Sequence, residues 1–203
     1  MHKGDPTPPT DPKIADLLSF WFDHTEGLVK WFKPSPTVDR ECAPWAPLVE
    51  AARAGELDEW TQTPDGTLAL LILLDQLPRN VYRGTPKAYG SDQAALDVAI
   101  DAIARGDDRR VLIDRQMFFY LPMMHCESML AQVGCLGLYQ GMASRAEPGT
   151  PMRELLDGAL GMCQVHVDII RRFGRFPGRN SAMGRESTQD ELEFLNETGP
   201  RGF

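Results

Sequence analysis

Two short segments of the chain carry clustered guanidinium groups on a common plan. Leu74-Asp-Gln-Leu-Pro-Arg-Asn-Val-Tyr-Arg-Gly84 and Arg171-Arg-Phe-Gly-Arg-Phe-Pro-Gly-Arg-Asn180 each leave an apolar run, turn at a proline and then present Arg-Asn. Pro78-Arg79-Asn80 thus aligns with Pro177-Gly178-Arg179-Asn180, and Met183-Gly-Arg185 follows closely. Guanidinium groups grip carboxylates and phosphates through paired hydrogen bonds, and a cluster of them repels itself unless an anion is shared. Arg79, Arg83, Arg172, Arg175, Arg179 and Arg185 converging on one cleft would make an anion site, with Asp75, Gln76, Asn80 and Asn180 as polar neighbours. The plainer account is that arginine and asparagine close two helix C-termini, where cations suit the dipole and amides satisfy orphan carbonyls. Asp75, Asp114 and Asp168 are on hand to neutralise the arginines internally, which would favour that account.

Proton transfer would need a second kind of group, and the candidates are His125, Glu127 and His166. His125 and Glu127 follow the break at Pro122, a position suited to lining a cavity. On a helix their i, i+2 spacing would aim them apart, against a shared proton path. A histidine beside arginines should have a lowered pKa and act as a neutral base. His166 falls on an apolar stripe with Met162, Ile169 and Phe173, where a satisfied core histidine is the plain expectation. Phe118, Phe119, Tyr120, Met123 and Met124 read first as core; the alternative is an apolar wall, with Tyr120 touching a ligand. Ser128 has no G-x-S-x-G around it, and the glycines after Phe173 follow a helix, whereas phosphate loops precede one. No HExxH or comparable spacing occurs, so neither a metal nor a cofactor is expected.

The elements that must position these groups read as helices throughout. Ile14, Leu17, Leu18 and Trp21 give the first helical spacing, and Gly27 with the Pro34/Pro36 pair should end that region. A helix is expected from near Thr37 towards Gly55, irregular at Pro44 and Pro47, with Gly55 as its left-handed cap. Thr63-Pro-Asp-Gly66 reads as a turn leading into Thr67 to Leu77, a leucine-rich run that is apolar on all sides. It should be a central buried helix broken by Pro78. Ser91 or Asp92 caps a helix to Arg105, followed by Gly106, with alanines at 95, 99 and 102 for close approach. A helical region from Asp114 to about Tyr139 is interrupted near Pro122. A long helix runs from about Pro151 to Phe173, and a short one begins after Ser187-Thr188 and ends before Gly199. With no β alternation, the fold class is all-α, helix upon helix with antiparallel neighbours and short turns.

The 203 residues suit a single helical domain over 12–203 behind a proline-bearing leader over 1–11, read as disordered. The net charge of −8 counts against a duplex-binding surface, leaving nucleic acid disfavoured as a partner. The longest uninterrupted apolar run is seven residues, Leu68 to Leu74, too short for a membrane helix. Cys42, Cys126, Cys135 and Cys163 form no CxxC pair and read as buried thiols of a cytoplasmic protein.

Three motifs in order carry a likeness to a known family. The Leu74–Gly84 segment, Phe118-Phe-Tyr-Leu-Pro-Met-Met-His-Cys-Glu127 and Ile169-Ile-Arg-Arg-Phe-Gly-Arg-Phe-Pro resemble the bacterial domain of unknown function 924 family. Phe20-Trp-Phe and Gly184-Arg-Glu-Ser-Thr188 look like its terminal motifs. The resemblance spans about residues 14 to 196. It implies antiparallel helical hairpins packed as a right-handed array like tetratricopeptide repeats, although no sustained 34-residue repeat is present. It brings no reaction, but its Met-His-x-Glu motif favours His125. One departure is Gly178, where the family usually has histidine; if that histidine is catalytic in relatives, the activity here is lost or altered. The functional expectation is a pocket for a small carboxylate or phosphate, with catalysis open. The alternative is a helical scaffold for an acidic peptide or protein partner.

Overall fold

The computed structural model describes residues 11–23, 30–31 and 35–199, and every regular element among them is helical. Helix α1 (Pro12–Phe22) starts where the Asp11 carboxylate accepts from Lys13 N, with proline in its first turn, and buries Ile14, Leu17, Leu18 and Trp21. The expected leader lies outside the described residues but for this Asp11 cap, as do Gly27 and Pro34. Pro36 begins a helix instead of ending one: α2 (Pro36–Cys42) is capped by Ser35, because proline's missing N–H is no loss at a first turn. A 3₁₀ turn at Ala43–Trp45 then carries the chain into α3 (Ala46–Arg53), which is where Pro44 and Pro47 were expected to disturb the helix.

The leucine run forms the centre of the core. Helix α4 (Pro64–Leu71) begins one residue after Thr63, whose hydroxyl caps Gly66 N, so the expected turn is already the first turn of the helix. Leu68 through Leu74 are all buried. Pro78 does not break the chain here. The helix widens into a π-turn at Ile72–Gln76, in which Leu77 N bonds back to the Ile72 carbonyl, and α5 (Leu77–Val81) continues with Pro78 in its first turn. Shifting the bonding by one residue before the ring relieves the clash that proline brings to a regular helix.

Helix α6 (Asp92–Arg105) ends at Gly106 with φ 77°, in the left-handed conformation, and turns Ala95, Ala99 and Ala102 inward. The next region is more broken than one interruption at Pro122. Helix α7 (Ile113–Gln116), a 3₁₀ turn at Met117–Phe119 and α8 (Leu121–Met124) precede α9 (Met129–Ala143). A buried polar knot bends the chain there: the Tyr120 hydroxyl donates to Asp108 at 2.5 Å, and Gln116 Nε2 donates to both. Helix α10 (Pro151–Phe173) has the expected bounds, closes at Gly174 and packs along α9. Helix α11 (Gln189–Thr198) opens with a capping box between Thr188 and Glu191.

Candidate functional site

The two proline-marked corners meet. Arg79 Nη2 lies 3.2 Å and Arg179 Nη1 3.0 Å from the same Asp92 Oδ2, an encounter of groups 87 residues apart. The N-terminus of α6 is pinned for this purpose: Ser91 sits at its cap, but its hydroxyl donates to the Leu74 carbonyl at 2.7 Å rather than capping α6 itself. That bond lays Asp92 beside the π-turn that carries Asp75. Arg79 reaches Asp75 Oδ1 at 3.1 Å, one turn back on its own helix. The Tyr89 ring faces both guanidinium groups, at 5.5 Å from Arg79 and 4.7 Å from Arg179, and Phe176 faces Arg179 at 4.7 Å.

His125 joins the cluster from a third direction. Its Nδ1 is 2.7 Å from Asp75 Oδ1, and its carbonyl accepts from Arg179 Nη2 at 2.8 Å. The turn that holds it is stapled by Gln132 of α9, which donates to the carbonyls of Met124 and Cys126, each at 2.7 Å. Burial works to raise the Asp75 carboxyl, but the facing imidazole and the Arg79 guanidinium overcome it and keep the group below the usual carboxylate range. Burial and Arg79 lower His125 by more than Asp75 raises it, so the ring is neutral with Nδ1–H donated to Asp75. That tautomer leaves Nε2 with its lone pair, the arrangement of an oriented base. The side chains of His125, Arg79 and Asp92 retain 12%, 15% and 19% exposure, whereas Asp75 keeps 1%. Asp75 and Arg179 form the floor, and the other three reach the surface.

The remaining expected residues are placed otherwise. His166 is buried; its Nδ1 lies 2.9 Å from the Met162 carbonyl, and its ring packs against Phe176 and lies 6.4 Å from that of His125. Burial drives its pKa down to about 3. Met162, expected on the same apolar stripe, is 46% exposed. Glu127 is held as an anion by two bonds from Arg185 and one from Phe176 N, so it fastens the C-terminal segment beside the His125 turn. It lies on a turn rather than a helix, so the i, i+2 argument for a helix does not apply to it. Arg83 pairs with Asp39 and Asn80, Arg172 with Asp190, and Arg175 with Glu191 at 2.7 and 2.8 Å. Asn180 bonds Ser187, Glu191 and Arg185. Gln76 donates to Asp75 Oδ2, and Asn80 to the Gln76 carbonyl. The Tyr120 hydroxyl is taken up by the Asp108 knot, among the core rings. Each of the six arginines therefore faces a carboxylate, and Arg79 and Arg179 share one, Asp92.

Asp92, Tyr89 and Phe176 had no place among the expected site residues. Asp92 reads locally as a first-turn acid of α6, and nothing near it in sequence signals two arginines. All four cysteines are free thiols, with Cys126 half-buried next to His125. Among the described residues no cluster of His, Cys, Asp and Glu is arranged to hold a metal, and no helix is long and apolar enough to cross a membrane.

The comparisons agree on the kind of protein this resembles. A family model described as bacterial protein of unknown function (DUF924) matches residues 17–199. A solved structure, that of the protein of unknown function ATU0120 from Agrobacterium tumefaciens, is similar to this chain at 37% identity and a TM-score of 0.78. The match covers 92% of this chain and 98% of that one. None of the curated proteins matches.

Proposed function

We propose a function read from the side chains themselves, because the chain belongs to the DUF924 family, described as bacterial protein of unknown function. On this reading it binds a small anionic ligand, a carboxylate or a phosphate, where Arg79 and His125 reach the surface, and His125 is the group able to move a proton on that ligand. The observation that carries the reading is the Asp75–His125 couple, at 2.7 Å, lying against two guanidinium groups drawn from the two halves of the chain. The π-turn adds support, since such turns recur at functional sites and this one is what aims Asp75. A carboxylate or phosphate would bond Arg79 at the expense of its contact with Asp92, and would lie beside a neutral imidazole.

The alternative, a scaffold for an acidic peptide, relies on outward-facing arginines. Arg172 and Arg175 are the surface candidates, and Asp190 and Glu191 already hold them. The small ligand is the better supported of the two.

Thermal unfolding in a panel of phosphate and small carboxylates tests the proposal. At concentrations of about 100 Kd a true ligand stabilises by roughly 2.7 kcal/mol, a rise in Tm of several degrees. The expected result is such a shift from at least one anion, lost in Arg79→Ala and retained in Arg172→Ala. No shift from any member, or an equal shift in both variants, overturns it.

A further inference from the structure

Buried polar side-chain atoms are nearly always hydrogen-bonded, so those that are not point to something. Among the described residues, five such atoms have no hydrogen-bond partner: Trp21 Nε1, Arg79 Nε, Asp92 Oδ1, Arg115 Nε and Gln132 Oε1. Two of the five, one donor and one acceptor, belong to a single ion pair within the cluster described above. Asp92 Oδ1 lies 3.1 Å from Arg79 Nη2, close enough for attraction but without the alignment of a hydrogen bond.

The charge of the cluster narrows what can bridge them. Arg79 and Arg179 carry two positive charges, Asp75 and Asp92 two negative ones, and His125 is neutral, so the group is balanced. A bare anion would leave it with an uncompensated negative charge in a largely dehydrated place, which is costly. A ligand with both an anionic and a cationic end keeps the balance. It also offers what the two atoms lack: an acceptor for Arg79 Nε and an N–H donor for Asp92 Oδ1.

We infer that the ligand is an ammonium carboxylate, an amino-acid-like zwitterion, its carboxylate on Arg79 and its ammonium group on Asp92. The inference rests on the small-carboxylate reading of this site and narrows it. Entry requires Tyr89 to swing aside, since its ring faces both guanidinium groups; the residue sits on a turn between Gly84, at φ 77°, and Gly90.

The test is titration calorimetry at neutral pH with the common amino acids, each against its analogue lacking the amino group, such as alanine against propionate and glutamate against glutarate. At least one amino acid should bind roughly tenfold more tightly than its analogue or better. Asp92→Asn should bring that ratio close to one, with the fold checked by circular dichroism. The comparison on the unaltered protein stands even if the variant does not fold. If analogues or inorganic phosphate bind as well as the amino acids, the zwitterion is wrong and the anion site survives. If no probe binds, both readings fall.

Discussion

His125 is fixed at both ends of its chemistry, the ring through Nδ1 to Asp75 and the backbone carbonyl to Arg179. Asp75 is the more consequential partner, since it also neutralises Arg79 from a position with 1% exposure. Asp75→Asn keeps the shape and removes the charge. Two effects are expected. With the facing carboxylate gone, His125 should protonate at still lower pH, and its Nδ1–H tautomer should lose its preference; the imidazole nitrogen resonances in an NMR titration read both. Arg79 is left with half its compensation, a cost on the order of 3 kcal/mol in urea unfolding. An unchanged histidine titration in the variant would show that the couple is a packing contact with no electrostatic role. Asp75 and His125 were legible as candidates because carboxylate and imidazole stand out by type beside proline breaks. Asp92 and Tyr89 were not, because their meaning comes from contacts with Arg179, 87 and 90 positions away, which no local pattern records.

Local chemistry wrote most of the elements. Proline at the first turn and glycine after the last mark α10 at Pro151 and Gly174, and Gly106 marks the end of α6. What escaped was the continuation through Pro78, because a π-turn is a change of hydrogen-bond register that leaves the leucine pattern intact. The α4 corner shows how tightly this element is seated. A Cβ on Gly66 would stand 2.2 Å from the Trp60 carbonyl oxygen, a backbone atom unable to withdraw without moving the 3₁₀ turn at Asp58–Gln62. Gly66→Ala is ordinarily a mild change at a helix start. Here it should cost about 2 kcal/mol or more and displace Trp60, which is buried. Urea midpoints and tryptophan fluorescence check both, and a stability equal to that of the parent would mean the corner has room it does not display.

The molecule as a whole carries −8, and the six arginines of the two corner segments face its own carboxylates, so counting cations in the sequence overstated the positive field available to a ligand. The same internal pairing sets how the fold responds to acid. His166 has its folded pKa lowered from 6.5 to about 3 by burial, so the unfolded chain takes up its proton first as pH falls. Stability from this residue is complete above about pH 6.5 and is lost between there and about pH 3, up to roughly 5 kcal/mol in all. His125 is lowered for the same reason and acts in the same direction. Glu191, held from 4.5 down to about 2 mainly by Arg175, adds a second loss that begins as pH falls to its ordinary value near 4.5 and is complete near 2. The urea midpoint should therefore start to fall near pH 6.5, before any carboxylate titrates. His166→Gln, which cannot take a proton and can still donate to the Met162 carbonyl, isolates the histidine contribution. Its stability at neutral pH should drop modestly while the slope between pH 6.5 and 4.5 becomes shallower. A variant as steep as the parent over that interval would move the acid sensitivity away from the buried imidazole beside Phe176 and onto His125 or another group.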